Sequence, residues 1–219
     1  LGGSSLWQSP SSGLTEWQLS SYYGRLNYAL ADRFMFTVNA RYDGSSVFSE
    51  GNKWAFFPSG AIAWNMGNES FMDGVDQVSF WKWRVSYGIT GNQAIGPYQT
   101  LARFSPVFSV IDNSIVNAVR PTSVANQDLT WETTKQLNIG TDIGLFNDRI
   151  SLTAEYYRMV TSDLLFSVQL PQYSGYTSQL KNIGEVENKG IEGFLNAQLL
   201  NRDNLDWNAS LSFSTDDPV

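Results

Sequence analysis

The sequence contains no cysteine and no histidine, and its apolar residues form no long uninterrupted run. Without these two residue types the chain forms no disulfide, no Cys or His metal site and no Ser-His-Asp triad. The longest apolar runs are four residues, as in Ala61 to Trp64, whereas a membrane-spanning helix needs about 20. Basic residues are scarce too: 14 Lys and Arg stand against 21 Asp and Glu, a net charge of −7. This acidic balance argues against nucleic acid as a partner.

What the sequence does have is an alternation of apolar and polar residues. Residues 205–214 read LDWNASLSFS, with an apolar side chain at every second position. Successive side chains of a strand point to opposite faces, so this pattern predicts a half-buried strand. Eight such segments are predicted, at residues 21–31, 34–43, 55–66, 82–90, 131–146, 150–160, 191–200 and 205–214. The nearest approach to a helix is one turn from Asn68 to Met72, with Asn68 as its cap. The predicted fold class is therefore all-β.

Alternation alone is compatible with a soluble β-sandwich, whose apolar face is the core, and with a membrane β-barrel, whose apolar face contacts lipid. The predicted strands are about 10 residues long, which is typical of tilted membrane strands and long for a sandwich. Tight turns (32–33, 147–149 and 201–204) alternate with long connections (44–54, 91–130 and 161–190), and only the 67–81 connection, which falls on the short-turn side by count, is of middling length. Short periplasmic turns and long extracellular loops are typical of outer-membrane barrels. We therefore predict a transmembrane antiparallel β-barrel, with a soluble carbohydrate-binding β-sandwich as the alternative.

Two groups of strand residues are predicted to have positional roles. Aromatic rings prefer the membrane–water interface, and five of them lie near the short-turn ends of strands: Phe34, Trp64, Trp81, Trp83 and Trp207. Four charged residues fall on the polar faces of strands and are predicted to point into the barrel lumen: Arg25, Arg41, Arg84 and Glu155.

The two longest loops contain a third group, formed by five aromatic residues. These are Tyr98, Phe104, Phe108, Tyr173 and Tyr176. Flat rings can stack on sugar faces, so all five are candidates for substrate contact. The alternative is that they form small cores within the long loops, or pack against a partner that covers them.

The sequence predicts no enzyme and no cofactor. Its carboxylate pairs, such as Asp73 with Asp76 and Glu185 with Glu187, lie in predicted turns and loop approaches, where charges are usually solvated. The glycine-rich segment from Gly88 to Gly96 lacks the Lys-Ser/Thr of a phosphate-binding loop. It is better explained as a change of chain direction from strand to loop.

Several stretches, taken in order, resemble SusC/RagA-type TonB-dependent outer-membrane transporters. They are YYGRLNYALADRF (22–34), RYDGSSVF (41–48), FFPSGAIAWNM (56–66), ESFM (69–72), WRVSYGITGNQAIGPY (83–98), DLTWETTKQLNIGTDIGLFNDRISLTAEYY (128–157) and NIGEVENKGIEGFLN (182–196). Each stretch alone is weakly specific, but the ordered set covers most of residues 20–215.

The resemblance implies a 22-stranded barrel of the bacterial outer membrane, plugged by an N-terminal domain. Such proteins import oligosaccharides or peptides with energy from TonB, and a SusD-like surface lipoprotein closes over them. With about eight strands and no recognisable plug, the chain is expected to be a fragment of the barrel. Residues 1–19 would be an extracellular loop or linker, and residues 20–219 part of the barrel wall.

Overall fold

The main feature of the computed structural model, which describes residues 12–176, 178–202 and 204–218, is an antiparallel sheet of eight strands. The strands of the chain are β1 (Leu19–Leu30), β2 (Phe34–Ser45), β3 (Trp54–Asn65), β4 (Val78–Asn92), β5 (Arg103–Ile111), β6 (Ser114–Ser123), β7 (Glu132–Leu145), β8 (Ile150–Ser162), β9 (Leu165–Gln169), β10 (Ser178–Asn182), β11 (Glu185–Arg202) and β12 (Leu205–Pro218). Short 3₁₀ turns form at Met66–Asn68, Ser70–Met72 and Gln172–Ser174. Within the described ranges, no helix has the length and apolarity needed to cross a membrane.

The eight-stranded sheet is an up-and-down meander in the order β1-β2-β3-β4-β7-β8-β11-β12. These are the eight predicted strands, and most extend a few residues beyond the predicted bounds. Two hairpins, β5–β6 and β9–β10, form separate two-stranded sheets inserted in the connections after β4 and β8. The β-sandwich alternative is wrong, because no second sheet covers this one in the part of the chain that the structure describes.

The sheet has two chemically different faces, since directly paired residues of neighbouring strands point to the same side. The row Arg25, Asn39 and Ser59 belongs to what we call the polar face, and the row Leu26, Val38 and Gly60 to the apolar face. Leu26 and Val38 have 68% and 57% of their surface exposed. An apolar face this exposed requires a non-aqueous neighbour.

The connections between β1 and β2 and between β7 and β8 are tight turns, and the longer connection between β3 and β4 lies at the same end of the sheet. Ala31 and Asp32 both have positive φ values of 52° in the turn between β1 and β2. The prediction that Asn68 caps a helical turn is wrong, because neither 3₁₀ turn in this region has a side-chain cap. The Asn68 side chain instead donates a hydrogen bond to the Asp32 carbonyl, at 2.8 Å, and so joins two of these connections.

The buried apolar core lies at the opposite end, among the long connections. We call it the loop core, and its buried members are Val47, Phe48, Phe57, Ile95, Leu129 and Trp131. The Trp131 ring packs on Phe48 and Phe57, with centroid distances of 5.2 and 5.7 Å. The loop core therefore joins three chain segments that are far apart in sequence.

The loop core occupies a gap between β3 and β4. The two strands pair only from Ser59 to Asn65 on the β3 side, so the ends of these strands nearest the long connections are separated. Phe57 fills the gap and its ring lies against Gly91 of β4, where a Cβ atom would overlap the ring. The glycine-rich segment from Gly88 to Gly96 was predicted to change chain direction, but it remains in β4 as far as Asn92. Its Gly91 leaves room for the Phe57 ring of the loop core.

Candidate functional site

The polar face contains an ion-pair network that spans three strands. Arg84 of β4 donates from Nη2 to Glu155 Oε2 of β8 at 2.7 Å, and from Nε to Asp142 Oδ2 of β7 at 3.2 Å. Gly140 of β7 lies directly between the paired positions of Arg84 and Glu155. A Cβ atom at Gly140 would lie 3.0 Å from the guanidinium carbon. The absence of a side chain here lets Arg84 extend across β7.

Asp142 is the centre of this network. Besides Arg84, the Thr153 hydroxyl donates to its Oδ1 at 3.1 Å, and Lys82 Nζ lies 3.9 Å from its Oδ2. The two cations and two carboxylates of the network balance in charge. Its chemistry is suited to holding the three strands rigidly together.

The other two predicted lumen residues also lie on the polar face but stay outside this network. Arg41 donates from Nε to Asp43 at 2.7 Å, and its guanidinium lies 5.6 Å from the centre of the Phe57 ring. Arg25 Nε donates to the Asn27 side chain at 3.3 Å. The structure thus joins Arg84 with Glu155 and keeps Arg25 and Arg41 apart.

The five aromatic residues predicted at the interface all lie on the apolar face, near the short connections. Phe34 stacks on Trp64 at a centroid distance of 6.0 Å, and Trp64 is paired directly with Trp83. The indole N–H groups of Trp64 and Trp81 donate to Glu69 and Thr141, both at 3.0 Å. Trp207 is 55% exposed on β12. We call this group the lower aromatic band.

A second aromatic band at the other end of the same face was missed by the sequence analysis. Tyr22 and Tyr42 both stack on Trp54, at centroid distances of 5.9 and 4.9 Å. Trp54 and Trp64 lie ten residues apart on β3, about 33 Å along a strand at about 3.3 Å per residue. At the usual tilt this corresponds to a height of about 25 Å, the thickness of the apolar band of outer-membrane barrels. The signal was present in the sequence, since all three residues share the alternation of the lower band.

The long connections are tied together by hydrogen bonds around the loop core. The Trp131 indole donates to the Lys53 carbonyl at 3.2 Å, and the Asn52 side chain donates to the Gln127 carbonyl at 3.1 Å. Asn182 of β10 donates to the Thr130 carbonyl at 2.9 Å and accepts from the Thr130 N–H at the same distance. The hydrogen-bonded long connections, with the loop core, form what we call the platform, at the end of the sheet opposite the tight turns.

The predicted loop aromatics lie on three separate segments of this end, and among the described residues none stacks on another. Phe104 and Phe108 lie on β5, where they are 62% and 81% exposed. Tyr173 is 92% exposed in its 3₁₀ turn, and Tyr176, near it, is half-buried. Tyr98 borders an open cavity of about 380 Å³ whose floor includes Val47, Phe48 and Thr100.

Tyr98 differs from the other four in its backbone. Its φ is 64°, in the left-handed region that bulky residues rarely adopt. Such a conformation costs of order 1–3 kcal/mol and persists only where surrounding structure imposes it. Here the Tyr98 hydroxyl accepts a hydrogen bond from the Glu16 N–H at 3.4 Å, and the aromatic ring is held at the edge of the cavity.

Acidic side chains near the extracellular ends of β11 and β12 are paired with basic or phenolic side chains. Glu187 binds Arg158 in a bidentate pair with both distances 2.9 Å, Asp217 lies 3.4 Å from Lys189, and Asp216 accepts from the Tyr157 hydroxyl at 3.1 Å. Within residues 12–176, 178–202 and 204–218, no group of three or more acidic side chains is placed so that it could bind a metal ion.

Comparison with known proteins assigns this sheet to a family. The family described as "TonB dependent receptor-like, beta-barrel" matches residues 2–219. The chain belongs to the TonB-dependent receptor β-barrel family. It is 50% identical over 214 residues to TonB-dependent receptor P3 of Formosa agariphila, covering 98% of this chain and 21% of that protein. With TonB-dependent receptor SusC of Bacteroides thetaiotaomicron it shares 37% identity over 205 residues, 90% of this chain and 20% of SusC.

Solved structures agree with the sequence comparison. The RagAB peptide importer in its "open-open" state superimposes with a TM-score of 0.83 and 28% identity, over 96% of this chain and 23% of that one. The chain thus spans about a fifth of the length of its curated relatives. It is an eight-stranded part of a larger TonB-dependent receptor barrel.

Family membership locates this TonB-dependent receptor barrel in the bacterial outer membrane. In such barrels the outward face is apolar and flanked by aromatic residues, while the inward face is polar. The apolar face is therefore the lipid side of the wall and the polar face its lumen side. The relatives named above are receptors and an importer, and none of them is named as an enzyme.

Proposed function

We propose that the intact protein is an active transporter of the SusC type, which imports an oligosaccharide or a peptide across the outer membrane. The observation that carries this proposal is the separation of apolar and polar side chains onto opposite faces of the sheet. The apolar face is bounded by two aromatic bands, and the polar face contains the ion-pair network of Arg84. A wall with these faces suits passage of a polar solute and no covalent chemistry. The peptide option is supported by the name of the RagAB peptide importer, and the glycan option by the SusC resemblance.

The proposal includes two protein partners. TonB would act from the periplasm through a plug domain outside residues 1–219, and a SusD-like surface lipoprotein would cover the platform of long connections. The likeness to SusC and to RagAB supports both partners. Residues 20–219 would be barrel wall, and residues 1–19 an extracellular segment, of which residues 1–11 lie outside the described residues.

Positional roles follow for the predicted strand residues. Phe34, Trp64, Trp81, Trp83 and Trp207 would lie at the periplasmic membrane interface, because their side of the sheet faces lipid and their end bears the tight turns. Arg25, Arg41, Arg84 and Glu155 would line the lumen. Arg84 and Glu155 would brace the wall through their mutual ion pair, whereas the exposed Arg25 is free to contact the plug.

Substrate contact is proposed chiefly for Tyr98, with Tyr173 and Tyr176 as further candidates. The cavity beside Tyr98 has buried apolar residues in its floor and has Glu50, Lys53 and Gln127 at its rim. Its size lies within the range of small-molecule sites, about 300–1,000 Å³. One exposed ring above mixed hydrogen-bonding groups suits a sugar ring or a peptide side chain.

The test is uptake by cells that produce the full-length protein with its partner lipoprotein. Fluorescent oligosaccharides and peptides of matched size would be offered separately, with and without TonB. Accumulation of one class that requires both the barrel and TonB supports the proposal. Uptake that is equal without TonB, or without the barrel, would contradict it. Tyr98→Ala should lower uptake of the accepted class, with Tyr87→Ala on the lipid side of β4 as the matched control.

A further inference from the structure

The connection between β3 and β4, residues 66–77, differs from the tight turns at the same end of the sheet. It contains two successive 3₁₀ turns, Met66–Asn68 and Ser70–Met72, and neither turn buries a residue. A two-residue turn is enough to join two antiparallel strands. The additional residues of this connection therefore need an explanation other than reversal of the chain.

One acidic side chain holds this connection against the lower aromatic band. Glu69 Oε1 accepts a hydrogen bond from the Trp64 indole N–H at 3.0 Å, and Glu69 Oε2 lies 3.5 Å from Nη1 of Arg33. The Glu69 side chain is only 14% exposed, although it belongs to a connection at the end of the sheet. Because Trp64 lies on the apolar face, Glu69 fixes the connection toward the lipid side of the wall.

Two further hydrogen bonds attach the connection to the tight turns on either side of it. The Asn68 side chain donates to the Asp32 carbonyl at 2.8 Å, in the turn between β1 and β2. Near the other end of the connection, the Gln77 carbonyl accepts from the Phe146 N–H at 2.8 Å, at the turn between β7 and β8. The connection is thus fixed at both ends as well as at Glu69, so its exposed side chains are held in a defined position.

These exposed side chains are of two chemical kinds. Phe71 and Val75 are apolar and are 59% and 38% exposed. Asp73 and Asp76, which are also exposed, alternate with them along the chain. Apolar and charged side chains combined on one short segment are typical of structure that lies in the membrane–water interface, with the apolar groups about 5–10 Å into the boundary between headgroups and acyl chains.

We propose that the 66–77 connection is an interfacial anchor, in which Phe71 and Val75 insert among the phospholipids of the periplasmic leaflet and Glu69 positions them. The inference rests on the orientation in the function proposed above, with the tight turns toward the periplasm. Continuity with the lower aromatic band favours lipid as the occupant, because Glu69 bonds the connection to Trp64 of that band. A plug domain would contact the opposite, polar face of the sheet. The exposed Asp73 and Asp76 would remain among the hydrated headgroups.

The experiment replaces Phe71 with the photo-crosslinking residue benzoylphenylalanine in the full-length protein in native outer membranes. The same replacement at Asp73 is the matched control. After irradiation, mass spectrometry should find a phospholipid adduct at position 71 and several-fold less of it at position 73. Equal phospholipid adducts at both positions, or an adduct of position 71 with protein in place of phospholipid, would overturn the proposal.

The kind of lipid separates failure of this inference from failure of the proposed function. Lipopolysaccharide is confined to the external leaflet, so a lipopolysaccharide adduct at position 71 would overturn the proposed orientation together with the anchor. If the wild-type protein shows TonB-dependent uptake while position 71 gives no lipid adduct, the anchor fails alone.

The positioning role of Glu69 has its own test in the same assay. Glu69→Ala removes the acceptor for the Trp64 indole and should lower the phospholipid adduct at position 71 several-fold. Glu69→Gln keeps an oxygen that can accept from the indole and should retain most of the adduct. Migration of the unheated protein in SDS gels checks that each barrel is folded. An unchanged adduct in a folded Glu69→Ala barrel would overturn the role of Glu69.

Discussion

Arg84 and Glu155 lie on strands that are not neighbours, yet their side chains meet at 2.7 Å because Gly140 between them has no side chain. The pair joins β4 to β8 across the whole width of β7. Glu155 also lies directly opposite Glu192 of β11. Since like charges in direct cross-strand positions are destabilising, Arg84 also offsets repulsion between these two carboxylates.

The first prediction concerns the glycine in this arrangement. Gly140→Val in the full-length barrel should displace the Arg84 side chain and lower the free energy of unfolding by about 1–3 kcal/mol, the usual cost of overpacking. Urea titration of the lipid-reconstituted protein measures it. Gly193→Val is the matched control, because no atom lies within 4 Å of a Cβ placed at Gly193. Equal effects at both glycines would show that Arg84 does not depend on Gly140.

Loss of the loop core should destabilise the long connections without unfolding the eight-stranded sheet. Trp131→Ala removes a ring that contacts Phe48 and Phe57 and should cost about 3–5 kcal/mol locally, so that the platform opens while the strands remain paired. Trypsin should then cleave after Lys53 or Lys181 faster than in the wild type. Trp17→Ala, at an exposed tryptophan, should leave cleavage unchanged. Unchanged cleavage in Trp131→Ala would contradict the role of the loop core.

The two faces of the sheet predict opposite responses to the same substitution. Val38 of β2 lies on the apolar face, four residues from Phe34 of the lower band and four from Tyr42 of the upper band, and Ala61 of β3 lies on the polar face in the next row of paired residues. Val38→Arg should destabilise the folded barrel by about 2–4 kcal/mol, the cost of a basic residue at the midplane. Ala61→Arg should cost much less, because it enters the wet lumen. Urea titration in vesicles compares the two, and equal costs would be evidence against a lipid-facing sheet.

A further prediction concerns the upper limit of the lipid-facing surface. Arg158 and Glu187 form a bidentate pair on the apolar face of β8 and β11, with 52% and 25% of their side chains exposed. If the pair lies above the hydrocarbon, a double-mutant cycle with alanine should give a coupling of no more than about 1 kcal/mol, as for other solvent-exposed pairs. A coupling several times larger would place both charges within the bilayer.

The regular part of the fold could be predicted from the sequence because strand alternation is local. The run from Leu205 to Phe213 determines by itself which side chains share a face, and Asn and Asp residues identify the tight turns. The β5–β6 and β9–β10 hairpins were missed for a local reason as well. In the segment from Val107 to Val110, apolar residues fall on both sides, so the period of two is obscured.

The candidate site could be predicted only in part, because its contacts are non-local. Arg84 and Glu155 were assigned to the polar face by alternation, but their meeting depends on the register that places Gly140 between them. The contacts of the loop core are non-local too. Phe48, Ile95 and Trp131 come from three different connections, and no sequence pattern within a single connection indicates that these residues are in one core.

Cysteine accessibility in native outer membranes tests the central claim, that one face of this sheet contacts lipid and the other water. The chain has no cysteine, so single cysteines can be placed at Leu211, Phe213, Ser210 and Ser212 of β12 in the full-length protein without background from this segment. A water-soluble maleimide should label the two serine positions and leave the leucine and phenylalanine positions unlabelled until the membrane is dissolved. Equal labelling of all four positions in intact membranes would contradict the barrel account.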